Sequence, residues 1–178
     1  SMIEQKRLWE ILMIPEVNRY FLTVPTKFRD KLKDWNIQEK YYEEEMKYAK
    51  DGNVFKWSVF LKETGECIGR ISCHEASVEN PNITDSNIRG VGWIIDPKYQ
   101  GKGYGTEVAK VMIDFMFLEC EIQEIITGAA ICNPASWKIM ERLGFERQKE
   151  TKRIQYTFLD EPTETYCYKL TRDKYHNV

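Results

Sequence analysis

The sequence predicts a single α+β domain in which helices pack against a β-sheet. The length of 178 residues fits one domain of ordinary size. An apolar fraction of 42% and a charged fraction of 30% are typical of a globular chain with an apolar core and a polar surface. The hydrophobic period changes from helical spacing near the N-terminus to alternation from residue 55 onward. No internal repeat or linker interrupts the sequence, so we expect residues 1–178 to form this one domain.

The first helix is predicted over residues 5–14. Leu8, Ile11 and Leu12 recur at helical spacing and therefore share one face. Pro15 follows, and proline cannot continue a helix because it lacks the amide hydrogen that the next turn requires. We therefore expect a short amphipathic helix that packs its apolar face on the rest of the domain.

A second helix is predicted from residue 37 to residue 50. Asn36 and Glu39 have the spacing of a capping box at its start, and Gly52 suits its end. The acidic stretch 41–48, with the sequence YYEEEMKY, could attract a basic partner. A solvated helix face is the simpler explanation for the same charges.

Strands begin where the apolar residues start to alternate. Residues 55–61 alternate apolar and polar side chains, Thr64-Gly65 predicts a turn, and residues 67–74 form the second strand of a hairpin. The polar, Asn-rich stretch 75–87 is long for a hairpin connection, so it is either a mobile loop or a functional one.

A glycine-rich loop follows a third predicted strand at residues 88–95. Gly101, Gly103 and Gly105 alternate just before an amphipathic helix. A loop of this kind directs backbone N–H groups, together with the helix N-terminus, at one anionic group. The spacing G-x-G-x-G matches neither the Walker A nor the Rossmann pattern. Spacing alone leaves two alternatives open, a phosphate site and a turn that needs glycine for its backbone only.

The last third of the chain predicts a strand, a short helix and two more strands. Asn133 and Pro134 suit the N-cap and first position of the short helix, and Gly144 suits the position after its end. The predicted strands are residues 124–132, 145–158 and 164–170.

Composition excludes several classes of function. A net charge of −2 argues against a general nucleic-acid binder and favours a small or basic partner. No C-x-x-C pair or His cluster predicts a metal site, and the odd number of cysteines predicts reduced thiols. No apolar run approaches the ~18 residues of a membrane span, so we expect no membrane partner and a cytoplasmic location. The cysteines are Cys67, Cys73, Cys120, Cys132 and Cys167.

Two motifs resemble those of the GNAT N-acetyltransferases. The stretch Q-G-K-G-Y-G-T at 100–106 resembles the acyl-CoA pyrophosphate loop [QR]-x-x-G-x-[GA], which Gln100, Gly103 and Gly105 match. The stretch N-P-A-S-W-K-I-M-E-R-L-G-F at 133–145 resembles the second conserved block of the superfamily. Together they look most like the branch with the ribosomal-protein N-terminal acetyltransferases, and the resemblance covers about residues 54–170.

The resemblance implies the GNAT fold. This is a central, mixed and largely antiparallel twisted sheet that is flanked by helices and has two splayed strands between which acyl-CoA binds. Family members usually begin with a strand, whereas this sequence starts almost directly in its first helix, so the first strand is expected to be absent or supplied otherwise.

The resemblance also implies acetyl-CoA as co-substrate and no metal. Main-chain groups of the third strand would pair with pantetheine, N–H groups of the glycine loop would bind the pyrophosphate, and Lys102 could meet it as a surface cation. The implied cofactor-binding residues are Trp93, Ile94, Ile95, Gln100, Gly101, Lys102, Gly103, Tyr104, Gly105, Thr106, Asn133 and Ser136.

The implied chemistry is direct attack of a neutral amine on the thioester. The Ile95 N–H is the candidate oxyanion donor, and Ser136 is the candidate acid because Met140 occupies the position where many relatives have tyrosine. The third strand lacks the carboxylate that often serves as base in relatives, so the base stays unassigned. Its candidates are water and the side chains of His74, Glu75, Glu161 and Glu164.

The expected partner is an amine acceptor, and its identity is open. A protein N-terminal α-amine is the leading hypothesis. The alternatives are a small-molecule amine, such as an antibiotic, a polyamine or an amino-acid-like amine, and a non-catalytic acyl-CoA-binding module. The protein is expected to be a monomer or a homodimer.

Overall fold

The computed structural model describes residues 1–21, 24–48 and 55–176, and the side chains of these residues except 45–48 and 176. The helices are α1 (Met2–Leu12), α2 (Pro15–Asn18), α3 (Arg29–Lys33), α4 (Trp35–Tyr48), α5 (Tyr104–Leu118), α6 (Pro134–Arg142) and α7 (Arg172–His176). The strands are β1 (Phe55–Phe60), β2 (Cys67–Glu75), β3 (Ile88–Ile95), β4 (Glu124–Ala130), β5 (Glu146–Ile154) and β6 (Thr163–Thr171).

The described strands form one mixed, twisted sheet in the order β1-β2-β3-β4-β6-β5. Only β3 and β4 run parallel, and the other neighbours are antiparallel. The α+β fold class with a largely antiparallel sheet is therefore confirmed. In the described chain α1 begins at Met2 and no strand lies ahead of it.

The main core lies between the sheet and α5. Met112, Ile113 and Phe117 of this helix are fully buried against the sheet, where Ile71 and Val91 are buried with them. Each such side chain contributes about 1.5–3 kcal/mol of hydrophobic free energy. This packing holds β2 and β3 rigidly under the start of α5, where the glycine loop lies.

A second, smaller core lies on the opposite face of the sheet. Ile11 and Leu12 of α1 pack with Ile94 of β3, as the predicted apolar face requires. The helix ends at Leu12, and Pro15 does more than stop it, because it occupies the first position of α2. Proline is favoured there since the first amide of a helix needs no partner.

The predicted start of the second helix is wrong by two residues. Helix α4 begins at Trp35, and the carboxylate of Asp34 accepts the N–H of Asn36 at 2.9 Å, so Asp34 takes the capping role that was expected of Asn36. Glu43 and Glu44 are exposed, which fits a solvated face in the described part of the acidic stretch. The predicted end at Gly52 lies outside the described residues.

Strand β5 ends earlier than the predicted 145–158. After Ile154 the chain leaves the sheet and meets the N-terminal helices. The Thr157 hydroxyl donates to the Val24 carbonyl at 2.8 Å, and Arg29 Nε donates to the Thr157 carbonyl at 2.7 Å. These bonds replace sheet pairing and attach the helical region to the β5–β6 connection.

A buried ion pair fixes α1 to the end of β3. Asp96 is 1% exposed, and its Oδ2 lies 2.5 Å from Arg7 Nη2. We predict that Arg7→Ala lowers the free energy of unfolding by about 3 kcal/mol, because the Asp96 carboxylate then stays buried without a counter-charge. Urea denaturation measures the change. The control is Lys110→Ala, which breaks the exposed pair with Asp114 and should cost about 0.5 kcal/mol or less.

A loss below 1 kcal/mol for Arg7→Ala would contradict this assignment of the ion pair.

Candidate active site

The two parallel strands separate after three residue pairs. β3 and β4 pair only at Ile88–Gly90 with Glu124–Ile126. Beyond that point the Thr127 hydroxyl donates to the Val91 carbonyl at 2.9 Å. A cavity of about 1120 Å³ opens between the diverging strands and is lined from both faces of the sheet. The expected splayed strands are therefore present.

The main chain of β3 supplies free groups to this gap. Asp96 N–H donates to the Ile68 carbonyl at 2.8 Å, so by alternation the amide of Ile94 also faces β2, whereas those of Trp93 and Ile95 face the gap. The carbonyl of Ile95 accepts Gln100 Nε2 at 2.8 Å, which anchors the loop entrance. The main chain of Ile94 is paired with β2, although Ile94 lines the cavity, so the main-chain groups directed at the gap are those of Trp93 and Ile95.

The glycines of the loop have two different purposes. Gly101 and Gly103 have φ of +75° and +90°, and a Cβ at either would meet nothing within 4 Å, so backbone conformation requires them. Gly105 differs, because a Cβ there would lie 2.9 Å from Ile139 Cδ1. It allows the start of α5 to approach α6 closely.

The loop presents a run of amides at the mouth of the cavity. The N–H groups of residues 101–105 donate to no backbone acceptor in the described chain, whereas Thr106 N–H donates to the Gly103 carbonyl at 3.0 Å. The predicted run of free amides is therefore one residue shorter. The Lys102 ammonium lies 5.2 Å from the ring centroid of Tyr99, and neither Lys102 nor Tyr104 lines the cavity. The structure thus places Lys102 away from the expected pyrophosphate position.

The start of α6 forms the other wall. Pro134 is at the first helical position, and Asn133 is at the N-cap position but makes no capping hydrogen bond with its side chain. Asn133 and Ser136 both line the cavity, and the Ser136 hydroxyl bonds to no described residue. Met140 is 2% exposed and also reaches the cavity, where it offers no donor.

On the opposite face of the sheet, a histidine and a glutamate meet in the cavity. His74 Nε2 lies 3.1 Å from Oε1 of Glu79. The imidazole lies over β3, because a Cβ at Gly90 would be 2.2 Å from Nε2. Gly90 lies in the part of β3 where relatives often have a carboxylate, and its missing side chain provides the space for this ring.

Sequence reasoning named His74 but missed Glu79. The only signal was its position in the stretch 75–87, which was either mobile or functional. In the structure that stretch opens with a 3-10 turn at Ala76–Val78, and Val78, Glu79 and Ile83 line the cavity. These contacts favour the functional alternative.

The other base candidates lie elsewhere. Glu75 accepts the Ser77 hydroxyl at 3.2 Å and lines a separate depression of about 240 Å³. Glu161 is exposed in the β5–β6 connection, Glu164 is exposed in β6, and neither lines the cavity. Of the four side chains considered, only His74 faces the cavity.

Two tyrosines of the cavity and one cysteine of β2 have a raised pKa. Cys132 Sγ donates to the Tyr20 hydroxyl at 3.3 Å, and this bond raises the pKa of Tyr20. Burial raises the pKa of Tyr156, whose hydroxyl shares a hydrogen bond of 3.1 Å with Thr165. Burial also raises the pKa of Cys73 to about 11. None of these groups is set up to accept a proton.

Basic side chains dominate the charge of the cavity. They fit a cofactor that carries several phosphate charges, and Lys138 and Arg142 of α6 are on the wall next to the glycine loop. The acidic lining side chains are Glu16 and Glu79. The basic ones are Lys56, Arg70, Lys138, Arg142, Lys152, Arg153 and Lys169.

Comparison with known families agrees with this geometry. Residues 4–146 match the family model described as an acetyltransferase (GNAT) domain. The chain belongs to the GNAT acetyltransferase family. It is accordingly an acetyl-CoA-dependent N-acetyltransferase, as the two motifs predicted.

Relatives and solved structures support the same assignment. YnaD, an uncharacterized N-acetyltransferase of Bacillus subtilis (strain 168), is 26% identical over 135 residues, which cover 65% of this chain and 75% of YnaD. The ribosomal-protein-S5-alanine acetyltransferase of Vibrio fischeri has TM-score 0.76 at 18% identity over 98% of this chain and 91% of its own. A mutant of the spermidine N-acetyltransferase SpeG of Vibrio cholerae has TM-score 0.75 at 16% identity over 99% and 95%.

Among the described helices, none has the length and apolar character to cross a membrane. Within residues 1–21, 24–48 and 55–176, no cluster of three or more His, Cys, Asp or Glu side chains is placed to hold a metal ion.

Proposed function

We propose that this enzyme transfers the acetyl group to the α-amine of a protein N-terminus, by direct attack in a ternary complex. The observation that carries the transfer is the gap between β3 and β4, which has free amides at its mouth and a His–Glu pair on its far side. Two findings support a protein acceptor, namely the sequence resemblance to the ribosomal-protein N-terminal acetyltransferases and the fold shared with the S5-alanine enzyme.

The residues of the cofactor side fit acetyl-CoA. Amides from Gly101 to Gly105 can donate to the pyrophosphate, and the Thr106 hydroxyl can add a further hydrogen bond. The gap-facing amides of Trp93 and Ile95 can pair with pantetheine as a neighbouring strand would. Asn133, whose amide is not used as a helix cap, can contact the same arm.

His74 is the proposed proton acceptor. When Nε2–H donates to the Glu79 carboxylate, the other ring nitrogen, Nδ1, keeps its lone pair. Nδ1 bonds to no described residue and is not among the buried unpartnered atoms, so it is accessible from the cavity. The carboxylate holds the tautomer and stabilises the imidazolium that forms when His74 removes the proton from the attacking amine.

The negative charges that develop on the thioester oxygen and on the leaving sulfur have proposed hydrogen-bond donors on β3 and α6. As the amine nitrogen bonds to the thioester carbon, negative charge develops on the carbonyl oxygen, and the Ile95 N–H donates to it. The carbon–sulfur bond then breaks, and the Ser136 hydroxyl donates a proton or a hydrogen bond to the leaving sulfur. Met140 cannot do so, because a thioether has no proton.

A second candidate is acetylation of a small amine. The fold shared with the spermidine enzyme supports it, since the TM-scores of the two structural neighbours are almost equal. The non-catalytic alternative depended on a missing strand carboxylate and on Met140. The His74–Glu79 pair weakens it, because a proton acceptor is present without that carboxylate.

Release of the CoA thiol during incubation with acetyl-CoA and an amine panel tests the proposal. The panel holds peptides with ribosomal-protein N-termini, spermidine, an aminoglycoside and free amino acids. We expect turnover with peptides, and the same peptides blocked at the α-amine serve as the control. Turnover on spermidine or the aminoglycoside alone would support the second candidate, and tight CoA binding without turnover would support the non-catalytic one.

A further inference from the structure

Arg70 is a partly buried cation with no hydrogen-bond or ion-pair partner among the described residues. Its Nε is the single buried side-chain nitrogen or oxygen in the described residues that makes no hydrogen bond. No described carboxylate forms an ion pair with it, and its guanidinium carbon lies 5.9 Å from the ring centroid of Phe21. Leaving such a donor unsatisfied costs about 1–3 kcal/mol, and native proteins keep few of them.

Two other partly buried arginines of the described chain bond to acceptors. Arg7 bonds to Asp96, and Arg29 bonds to main-chain carbonyls and Asp160. Arg70 is distinguished by its buried Nε, which has no acceptor, and by its place in the lining of the active-site cavity.

Arg70 shares its face of the sheet with the proposed proton acceptor. Arg70, Ser72 and His74 alternate along β2 and all line the cavity. At roughly 3.3 Å per residue, the Cα atoms of Arg70 and His74 are about 13 Å apart. Both side chains lie along one groove on this face of the sheet. On this face, the pair Ser72–Gly92 lies between them.

The floor of this groove is Gly92, which pairs with Ser72. A Cβ at Gly92 would lie 3.7 Å from Ser72 Oγ and 3.9 Å from both the His74 and Phe21 rings. These side chains thus surround a space that the glycine leaves open. An acceptor lying across Gly92 would have one end at His74 and the other at Arg70.

We propose that Arg70 binds a carboxylate of the acceptor while His74 receives the proton of its amine. The inference rests on the proposed acetyl transfer and names the class of acceptor. A guanidinium matches a carboxylate with two parallel hydrogen bonds, and the orphan Nε would then be satisfied. A polyamine would bring positive charge to this cation.

The spacing favours a carboxylate that is not adjacent to the amine. An extended peptide spans at most about 3.3–3.6 Å per residue, and the two side chains shorten the gap of about 13 Å between their Cα atoms. A Glu or Asp side chain at the second or third residue of a protein N-terminus fits this distance. The carboxylate of a free amino acid is the other source.

The experiment compares acidic and neutral acceptors on Arg70 variants. The substrates are the amidated peptides Ala-Glu-Ala and Ala-Ala-Glu, their Gln counterparts and free amino acids. In the wild-type enzyme we expect kcat/KM for a Glu peptide to exceed that for its Gln counterpart about tenfold or more, mainly through KM. Arg70→Gln should remove this preference, and Arg70→Lys should keep part of it. Lys62→Gln, which removes one exposed positive charge from the β1–β2 turn, should preserve it.

A second readout does not require turnover. Binding of the N-acetylated Glu peptide, measured by tryptophan fluorescence, should be about tenfold tighter than that of the Gln form, and only in enzyme with Arg70. Equal binding of both forms, or a preference that survives in Arg70→Gln, would overturn the proposal. An Arg70-dependent preference confined to free amino acids would keep it and reject the protein acceptor. Absence of turnover with retained Arg70-dependent binding would reject the proposed function alone.

Discussion

His74→Ala is expected to lower kcat about 10²- to 10⁴-fold, because the attacking amine loses its proton acceptor. The KM for acetyl-CoA should stay close to the wild-type value, since His74 lies on the acceptor face of the sheet. Steady-state kinetics with acetyl-CoA and the acceptor varied in turn measures both quantities.

In the proposed mechanism Glu79 acts on the reaction through His74 and is therefore a positioning residue. Glu79→Gln keeps a hydrogen-bond acceptor beside Nε2 but removes the charge that stabilises the imidazolium, so we expect a loss of about 10- to 100-fold in kcat. The KM for acetyl-CoA and the free energy of unfolding should stay close to the wild-type values, whereas loss of a purely structural contact would lower the free energy of unfolding.

Two neighbouring glycines provide a steric control for His74. Gly90→Ala would place a Cβ 2.2 Å from Nε2 and must displace the imidazole, whereas Gly92→Ala makes ordinary contacts of 3.7–3.9 Å. We expect Gly90→Ala to lose kcat as His74→Ala does, and Gly92→Ala to keep kcat but raise the KM of the amine. Full activity in His74→Ala and Gly90→Ala would rule out His74 as the proton acceptor.

The second large effect is expected in the glycine loop. Gly103→Ala should weaken acetyl-CoA binding about tenfold or more, because alanine disfavours φ of +90° and the loop must turn its amides away to relieve the strain. The same strain should lower the free energy of unfolding by about 1–2 kcal/mol. Calorimetric titration and urea denaturation measure the two quantities.

Gly65→Ala is the matched control for this loop. Gly65 has φ of +70° in the β1–β2 turn, and its Cβ, like that of Gly103, would meet nothing within 4 Å. It should lose similar stability and bind acetyl-CoA normally. Unchanged binding by Gly103→Ala, with the same loss of stability in both variants, would reject the phosphate role of the loop.

Local patterns predicted most of the secondary structure. The alternation from residue 55 onward located β1 and β2, and Pro134 located the start of α6, because the physical causes are a few residues apart. The errors occur where contacts between residues far apart in sequence determine the end of a strand or the cap of a helix. Strand β5 ends at Ile154 because Val24 and Arg29 bond to the chain just beyond it. Asp34 caps α4 although Asn36 had the expected spacing.

The candidate site also has a part that local sequence predicted and a part that depends on distant contacts. Gln100, Gly103 and Gly105 predicted the cofactor loop. Amides that bind one phosphate are presented by consecutive residues, so all the residues of such a loop lie in one stretch of the sequence. The acceptor side is assembled from β2, the 75–87 stretch and the N-terminal helices. No sequence motif predicts that Glu79 and Gly90 lie beside the same histidine, or that Arg70 lies near Phe21.

The sequence alone thus determined the family and the fold class and predicted the cofactor loop, because the motifs behind these conclusions each lie within one short stretch. Only the tertiary structure decided that Glu79 supports His74, that Lys102 turns away and that Arg70 is left without a partner. These outcomes depend on which side chains the sheet register and loop packing bring within a few ångströms of one another, and that is a property of the fold as a whole.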